Sequence, residues 1–332
     1  MPPRGRRRAS VRLLTLLALA AAAGCSSQVG PYAAHGQTTP ASSVATSRPA
    51  PPMERPGPTV PPPPPAGFGG HPQLKVAPPG SAPAQIAALL GPGFLPRSGG
   101  AFGVEHIHRI PQLGPGGTPV LRVDYPAGSA SPRAASTDDA GYGGAQAYLL
   151  LPHGPVDSLH LRYCVRFPLG FNFVKGGKLP GLFGGTVTSG QHIPDGTNGW
   201  STRYMWRRGG AGEVYAYLPS SVQHGTSLGR YSWWVTPGRW QCLEQAVQLN
   251  TPGSADGAIT VWLDGQQVYH QTDIVFRTTA SLRIDGVFFS SFFGGGDASW
   301  ASPTNQHADF ADLSVGAEAL SQSTPSTTSP QP

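Results

Sequence analysis

Five side chains in the stretch 175–219 have the types and spacing for carboxylate binding and proton transfer: Lys178, Ser201, Arg203, Tyr215 and Tyr217. Arginine presents a planar fork that grips a carboxylate through two parallel hydrogen bonds. Lysine and tyrosine become proton carriers once burial or neighbouring charge shifts their pKa values. Strand parity groups them. Successive side chains of a strand point to opposite faces, so in NGWSTRYMWRRGG the residues Ser201, Arg203 and Met205 share one face, and Thr202, Tyr204 and Trp206 the other. In EVYAYLP, Val214, Ala216 and Leu218 form an apolar face for a core, which leaves Glu213, Tyr215 and Tyr217 for another purpose. Lys178 is read in a Gly-flanked turn of KGGKLPGLFGG, where backbone can approach a ligand closely. The plainer alternatives are half-buried surface tyrosines, an Arg203 paired with Glu213 or Asp195, and a solvated turn lysine.

Those strands need a domain to hold them. Residues 1–24 read as a targeting segment: Arg4, Arg6, Arg7, Arg8 and Arg12 precede a short apolar run, Leu13 to Ala23. The run is too short to span a bilayer as a mature helix. Ala22-Ala23-Gly24-Cys25 resembles a bacterial lipobox, which implies cleavage before Cys25 and its lipidation. The expected location is the outer face of the cell membrane, held by lipid, or the medium after release. Of 23 basic and 17 acidic residues, residues 1–24 hold five arginines and no acid, so 18 face 17 in the remainder. With no basic run longer than Arg207-Arg208 there, nothing points to nucleic acid.

Residues 25–82 are rich in Pro, Ser, Ala, Gly and Thr, with five prolines in a row at 61–65. Such a composition cannot bury enough apolar surface to offset its ordering entropy, so it reads as a semi-extended tether. Residues 319–332 read as a Ser/Thr/Pro tail on the same ground. Between them, residues 83–318 suffice for one large core. A short helix is expected at Ala84–Leu90. Strand patterns follow at 104–110, 119–125, 145–151, 158–167, 240–249, 258–265, 282–293 and 311–315. Asp264-Gly265 marks a tight hairpin. Many short strands with Gly/Pro turns, and no βαβ rhythm, predict an all-β sandwich or jelly roll. Cys164 and Cys242 fall within two of the strands and are expected to be bridged in an oxidising compartment; they are too few for a zinc site.

The string KGGKLPGLFGG at 175–185, with Ser201-x-Arg203 and Tyr215-x-Tyr217, resembles polysaccharide lyase family fourteen, the alginate and glucuronan lyases. Weaker echoes lie in GGAQAYLLL at 143–151, in LNTPGSADGAITVWLDG at 249–265, and in FFSSFFGGG with Trp300. The resemblance implies a β-jelly roll whose concave sheet binds an anionic glycan. It implies catalytic roles for Lys178, Ser201, Arg203, Tyr215 and Tyr217. Substrate contacts are expected from Gln146, Lys175, His192 and Glu213. No metal or other cofactor is expected, because a protein cation can neutralise the carboxylate. The expected partners are an anionic polysaccharide and, through the N-terminal lipid alone, the membrane, and the protein is expected to be a monomer.

A uronan lyase removes the C5 proton beside the carboxylate and expels the O4-linked sugar. That chemistry needs a neutralised carboxylate, a base and an acid. Arg203 suits the first role, with help from Gln146 or Ser201. Lys178 or a tyrosine is the candidate base, Tyr215 or Tyr217 the candidate acid, and His192 and His224 sit in nearby loops. A glycan-binding module on the same fold competes, since fold does not fix function. A glycosidase fits least, because it needs two carboxylates flanking the bond and the central block holds only Asp195 and Glu213.

Overall fold

The computed structural model describes residues 74–91, 93–137 and 140–320. The expected signal segment, Cys25 and most of the Pro-rich stretch and tail lie outside them. The first elements are helix α1 (Ala82–Leu90) and strands β1 (Leu95–Pro96), β2 (Ile107–Ile110) and β3 (Val120–Tyr125). After helix α2 (Pro132–Thr137) come β4 (Ala145–Leu150), β5 (Ser158–Arg166), β6 (Gly176–Leu179), β7 (Gly181–Gly185), β8 (Gly199–Arg207), β9 (Gly212–Tyr217) and β10 (Thr226–Leu228). The chain continues through β11 (Gln241–Gln248), β12 (Gly257–Leu263), β13 (Gln266–Ile274), β14 (Gly286–Phe293) and β15 (Gln306–Gly316).

Two sheets form, with every strand pairing antiparallel, and the fold is a β-sandwich jelly roll. The front sheet runs β1-β4-β14-β6-β8-β9-β10, with β7 continuing the β6 position between β14 and β8. The back sheet runs β13-β12-β11-β5-β15-β3-β2. One face of each supplies the core. Leu149, Trp200, Tyr204, Trp206, Val214 and Phe289 from the front meet Val123, Leu161, Tyr163, Val247, Val261 and Phe310 from the back. Polar links also cross this core: Thr202 Oγ1 and the Gln245 side chain lie 2.6 Å apart, and the Gln245 amide also donates to the Thr202 carbonyl. Residues of β8 face the core at even numbers and the outer face at odd numbers, as alternation requires.

The segment Lys175–Gly185 departs from its expected form. Lys178 is not in a turn; it stands on β6, opposite Met205 of β8 and Phe292 of β14. The glycines serve a different purpose from turning the chain. A Cβ on Gly177 would lie 2.0 Å from the Trp206 ring, and one on Gly181 would lie 2.4 Å from the Arg203 Cα. Absent side chains let a strand approach β8 and its indole closely. At the β12–β13 hairpin, Asp264 and Gly265 both take positive φ, as a tight turn demands.

Cys164 and Cys242, paired in register between β5 and β11, form a disulfide on the outer face of the back sheet.

Candidate active site

The outer face of the front sheet is concave and divided. At one end Tyr148, Leu150, Phe183 and Phe288 fill it as an apolar cluster, with Leu74 packed on top. Tyr148 and Phe288 stack with centroids 4.1 Å apart. The rest is open, a groove of about 660 Å³.

Register places the groove's floor. Arg203 of β8 lies opposite Tyr215 of β9, and Met205 lies opposite both Glu213 of β9 and Lys178 of β6. Lys178 is almost completely buried. Its Nζ sits 3.4 Å from the centroid of the Tyr215 ring and 2.6 Å from the Met205 sulfur. Burial, reinforced by Arg203 and Arg207, pushes its pKa well below the ordinary lysine value, against a smaller opposing pull from Glu213. The ring face of Tyr215, 3.4 Å from Nζ, favours the ammonium form, and burial disfavours it. The Lys178 amine is thus more easily deprotonated than an ordinary lysine.

Tyr215 moves the other way. Burial and the neighbouring Tyr217 raise its pKa to about 12, with Arg207 and Arg203 only partly offsetting them. The phenol thus keeps its proton at neutral pH. Arg203 is buried with its guanidinium 4.3 Å over the Phe288 ring; Nη1 donates to Ser290, while Nε finds no partner among the described residues. No carboxylate among the described residues pairs with it: Asp195 caps its own turn through Thr197, and Glu213 is engaged by Arg207 and Arg230. A buried guanidinium with an unsatisfied N–H beside an open groove suits a carboxylate ligand.

Tyr217 also lines the groove, packed edge-on against Tyr215 with centroids 5.8 Å apart, and its hydroxyl accepts from the Gln191 N–H at 3.4 Å. Gln146 reaches the groove from β4 and donates to the Gly100 carbonyl. His224 lines it as well.

Four expected site residues lie apart from the floor. Ser201 is on the expected face, but the β7–β8 connection folds back over it and the Thr188 carbonyl takes its hydroxyl at 2.7 Å. Glu213 is fully buried beneath the groove, clamped by Arg207 and Arg230 at 2.5 Å each. Burial opposes its charge, yet the two guanidiniums win and hold its carboxyl below the usual carboxylate value. Its surroundings make it a buried counter-ion and not a substrate contact. Lys175 is at the rim, against the Ser299 hydroxyl and 5.9 Å over the Trp300 ring. His192 is exposed, just past the groove-lining Ser189–Gln191.

Sequence reasoning named none of Met205, Arg207, Ser227, Arg230 and Phe292 as a site residue, yet all of them line the groove. Parity already set Met205 on the Ser201–Arg203 face, and Arg207 continues it. Arg230 has no local signal, because Glu213 brings it in from beyond β10.

Comparison with known proteins agrees with this geometry. The profile of the family polysaccharide lyase 14 matches residues 115–313. A marine PL-14 alginate lyase from Aplysia kurodai is 31% identical, with 66% of this chain and 89% of that one covered at a TM-score of 0.58. An alginate lyase from a Chlorella virus is 21% identical, covering 70% and 97% at 0.58. Alginate lyase Aly36B is 22% identical, covering 71% and 90% at 0.56. Two variants of Aly36B, each with a lysine and either a methionine or a tyrosine changed to alanine, hold alginate tri- and tetrasaccharides. No curated protein sequence matches significantly.

Proposed function

The chain belongs to the polysaccharide lyase 14 family, and on that premise we propose how its groove cleaves an anionic polyuronate by β-elimination. The uronate carboxylate docks on Arg203, whose charge stabilises the negative charge that builds when C5 loses its proton. The neutral Lys178 amine takes that proton. The C4–C5 double bond forms as the C4–O4 bond breaks, and the Tyr215 hydroxyl donates a proton to the departing oxygen. Alginate is the substrate class favoured by the relatives. Tyr217, held by the Gln191 N–H, positions the sugar beside Tyr215.

The observation that carries this reading is the juxtaposition of a buried Lys178 amine, 3.4 Å from the Tyr215 ring, with Arg203 opposite that tyrosine in register. A pure glycan binder has no use for a neutral amine beside a protonated phenol. The test is ultraviolet absorbance of the unsaturated sugar formed from mannuronate-rich alginate, guluronate-rich alginate and glucuronan, with a neutral glucan as control. Product should form from at least one polyuronate and never from the glucan. Polyuronate binding without product would return the fold to the binding-module reading.

The Ala22–Cys25 string supports lipidation of Cys25, with the stretch 26–82 as tether. On this reading a monomeric catalytic domain is held at the outer face of a bacterial membrane through lipid alone. Cys25→Ser should move the protein from the membrane to the soluble fraction; continued membrane association would refute the anchor.

A further inference from the structure

The family profile begins at residue 115, yet residues ahead of it shape the groove's wall. Residues 75–77 and 96–98 form an added edge beside β4. Ala77 N–H donates to the Pro96 carbonyl at 2.6 Å, Ser98 N–H to that of Lys75 at 2.7 Å, and Arg97 N–H to that of Tyr148 at 2.9 Å. The edge resumes at Phe102, which pairs antiparallel with Gln146. Each N–H donates to the other's carbonyl, at 3.1 and 3.0 Å. Glycines allow this closeness. A Cβ on Gly103 would lie 2.0 Å from the Gly144 carbonyl oxygen, and one on Gly100 would lie 2.6 Å from the Tyr148 ring.

That edge reaches the groove through other residues. Gln146 Nε2 donates to the Gly100 carbonyl at 2.7 Å, which fixes the amide from behind. The Phe102 ring packs against Phe292 with centroids 5.6 Å apart, and edge-on against Tyr142 at 5.9 Å. Gln146 and Phe292 line the groove, and Phe102 does not. On the next strand Ser290, opposite Gln146 in register, accepts from Arg203 Nη1. The row Phe102, Gln146, Ser290 thus runs from the sheet's outer edge to the guanidinium that docks the carboxylate. Ala101 and Val104 pack against the core, so Phe102 is the side chain this segment commits to the wall.

We propose that Phe102 is a positioning residue for the substrate: it sets Gln146 and Phe292 from behind and touches no sugar itself. This rests on the polyuronate reading and places part of the working site outside the family-matched segment. A glutamine free to rotate loses rotamer entropy when a ligand orders it. One already held by the Gly100 carbonyl loses less, so the bound state costs less to reach. Without the Phe102 ring, residues 100–102 lose their apolar hold on Phe292, and the Gln146 amide loses a fixed acceptor.

The test is a double-mutant cycle in the full chain, Phe102→Ala with Gln146→Ala. It is read by calorimetric affinity for a uronate oligosaccharide and by KM and kcat on the polymer. Phe102→Ala alone should weaken the oligosaccharide about three- to tenfold, the scale of one neutral hydrogen bond or one ring contact. KM should rise by a similar factor, with kcat within about twofold of wild type. In the Gln146→Ala background the same change should cost about twofold or less, because the group it positions is gone. Phe102→Leu keeps apolar bulk and should recover most of the affinity. Should Phe102→Ala fail to fold, Phe102→Val takes its place in the cycle. A merely structural role would lower the melting temperature and cost the same factor in both backgrounds. That additivity, or wild-type affinity in Phe102→Ala, overturns the proposal. If wild type binds the oligosaccharide and the coupling appears but no unsaturated product forms, the positioning role stands and the lyase reading falls. No binding by wild type removes both.

Discussion

Two buried carboxylates hold two guanidiniums each, on opposite sheets, with opposite consequences. Asp309 of β15 is clamped between Arg122 and Arg166, its cross-strand neighbours on the outer face of the back sheet. Glu213 of β9 is clamped between Arg207 and Arg230 under the groove. Both carboxyls sit below their usual pKa for the same reason: guanidinium contacts outweigh burial. The difference is the company. Around Asp309 the charges come near balance, because Asp124 also acts on Arg122. Around Glu213, Arg203 adds positive charge, and no further carboxylate lines the groove among the described residues. The same local bond is a strut where charge is balanced and part of an anion site where it is not.

That contrast can be broken by removing each carboxylate in turn. Glu213→Gln leaves Arg207 buried without its counter-ion and should cost about 3–5 kcal/mol of stability, together with a large loss of kcat/KM. Asp309→Asn should cost about 1–3 kcal/mol, because Arg122 and Arg166 are each about a quarter exposed and can turn to water. Its kcat/KM should stay at the wild-type value. Denaturant unfolding and steady-state kinetics on both variants decide the matter; equal kinetic damage from the two would erase the distinction.

Unlinking the back sheet sharpens the comparison. The double change Cys164→Ala and Cys242→Ala removes a bridge between residues 78 positions apart and should cost about 2–4 kcal/mol. Turnover below the melting temperature should not change, since the bridge is on the face away from the groove. A matching fall in kcat would mean that the two sheets are coupled more tightly than their separate outer faces imply.

The smallest stability effect should have the opposite sign. Lys178 is deprotonated more easily folded than unfolded, so between its lowered pKa and the ordinary lysine value the unfolded chain binds more protons. Stability therefore rises with pH across that window. Lys178→Met should flatten this rise and be more stable than wild type at neutral pH, while losing about 100- to 10,000-fold in kcat. Urea unfolding at several pH values would show it, and a less stable Met variant at neutral pH would contradict the buried neutral amine.

Most strands of the back sheet were legible because each alternates or carries a β-branched run: the 158–167 pattern became β5 and the 240–249 pattern β11. β15 begins at Gln306, well before the pattern that suggested it, because Gln306–Asp309 are fixed by pairing with β3 and not by hydrophobicity. The parity of β8 and β9 brought Arg203, Tyr215 and Tyr217 together from sequence alone. Lys178 was expected in a turn because its glycines read as turn signals; they are gaps for Trp206 and the Arg203 backbone, a tertiary reason with no local signature. Ser201 and Glu213 were on the right face and still missed the groove, since alternation gives a direction and not what lies above it. A loop carbonyl covers one and two arginines cover the other.

The proposed base can be observed directly. Lys75, Lys175 and Lys178 are the only lysines in the chain, so side-chain 15N labelling of lysine yields three amine signals, and Lys178→Met identifies the relevant one. The signal of Lys178 should titrate well below the ordinary lysine value, at the pH where kcat/KM on a polyuronate rises to its plateau. Three signals titrating together at the ordinary lysine value, with catalysis rising elsewhere, would contradict Lys178 as the group that takes the C5 proton.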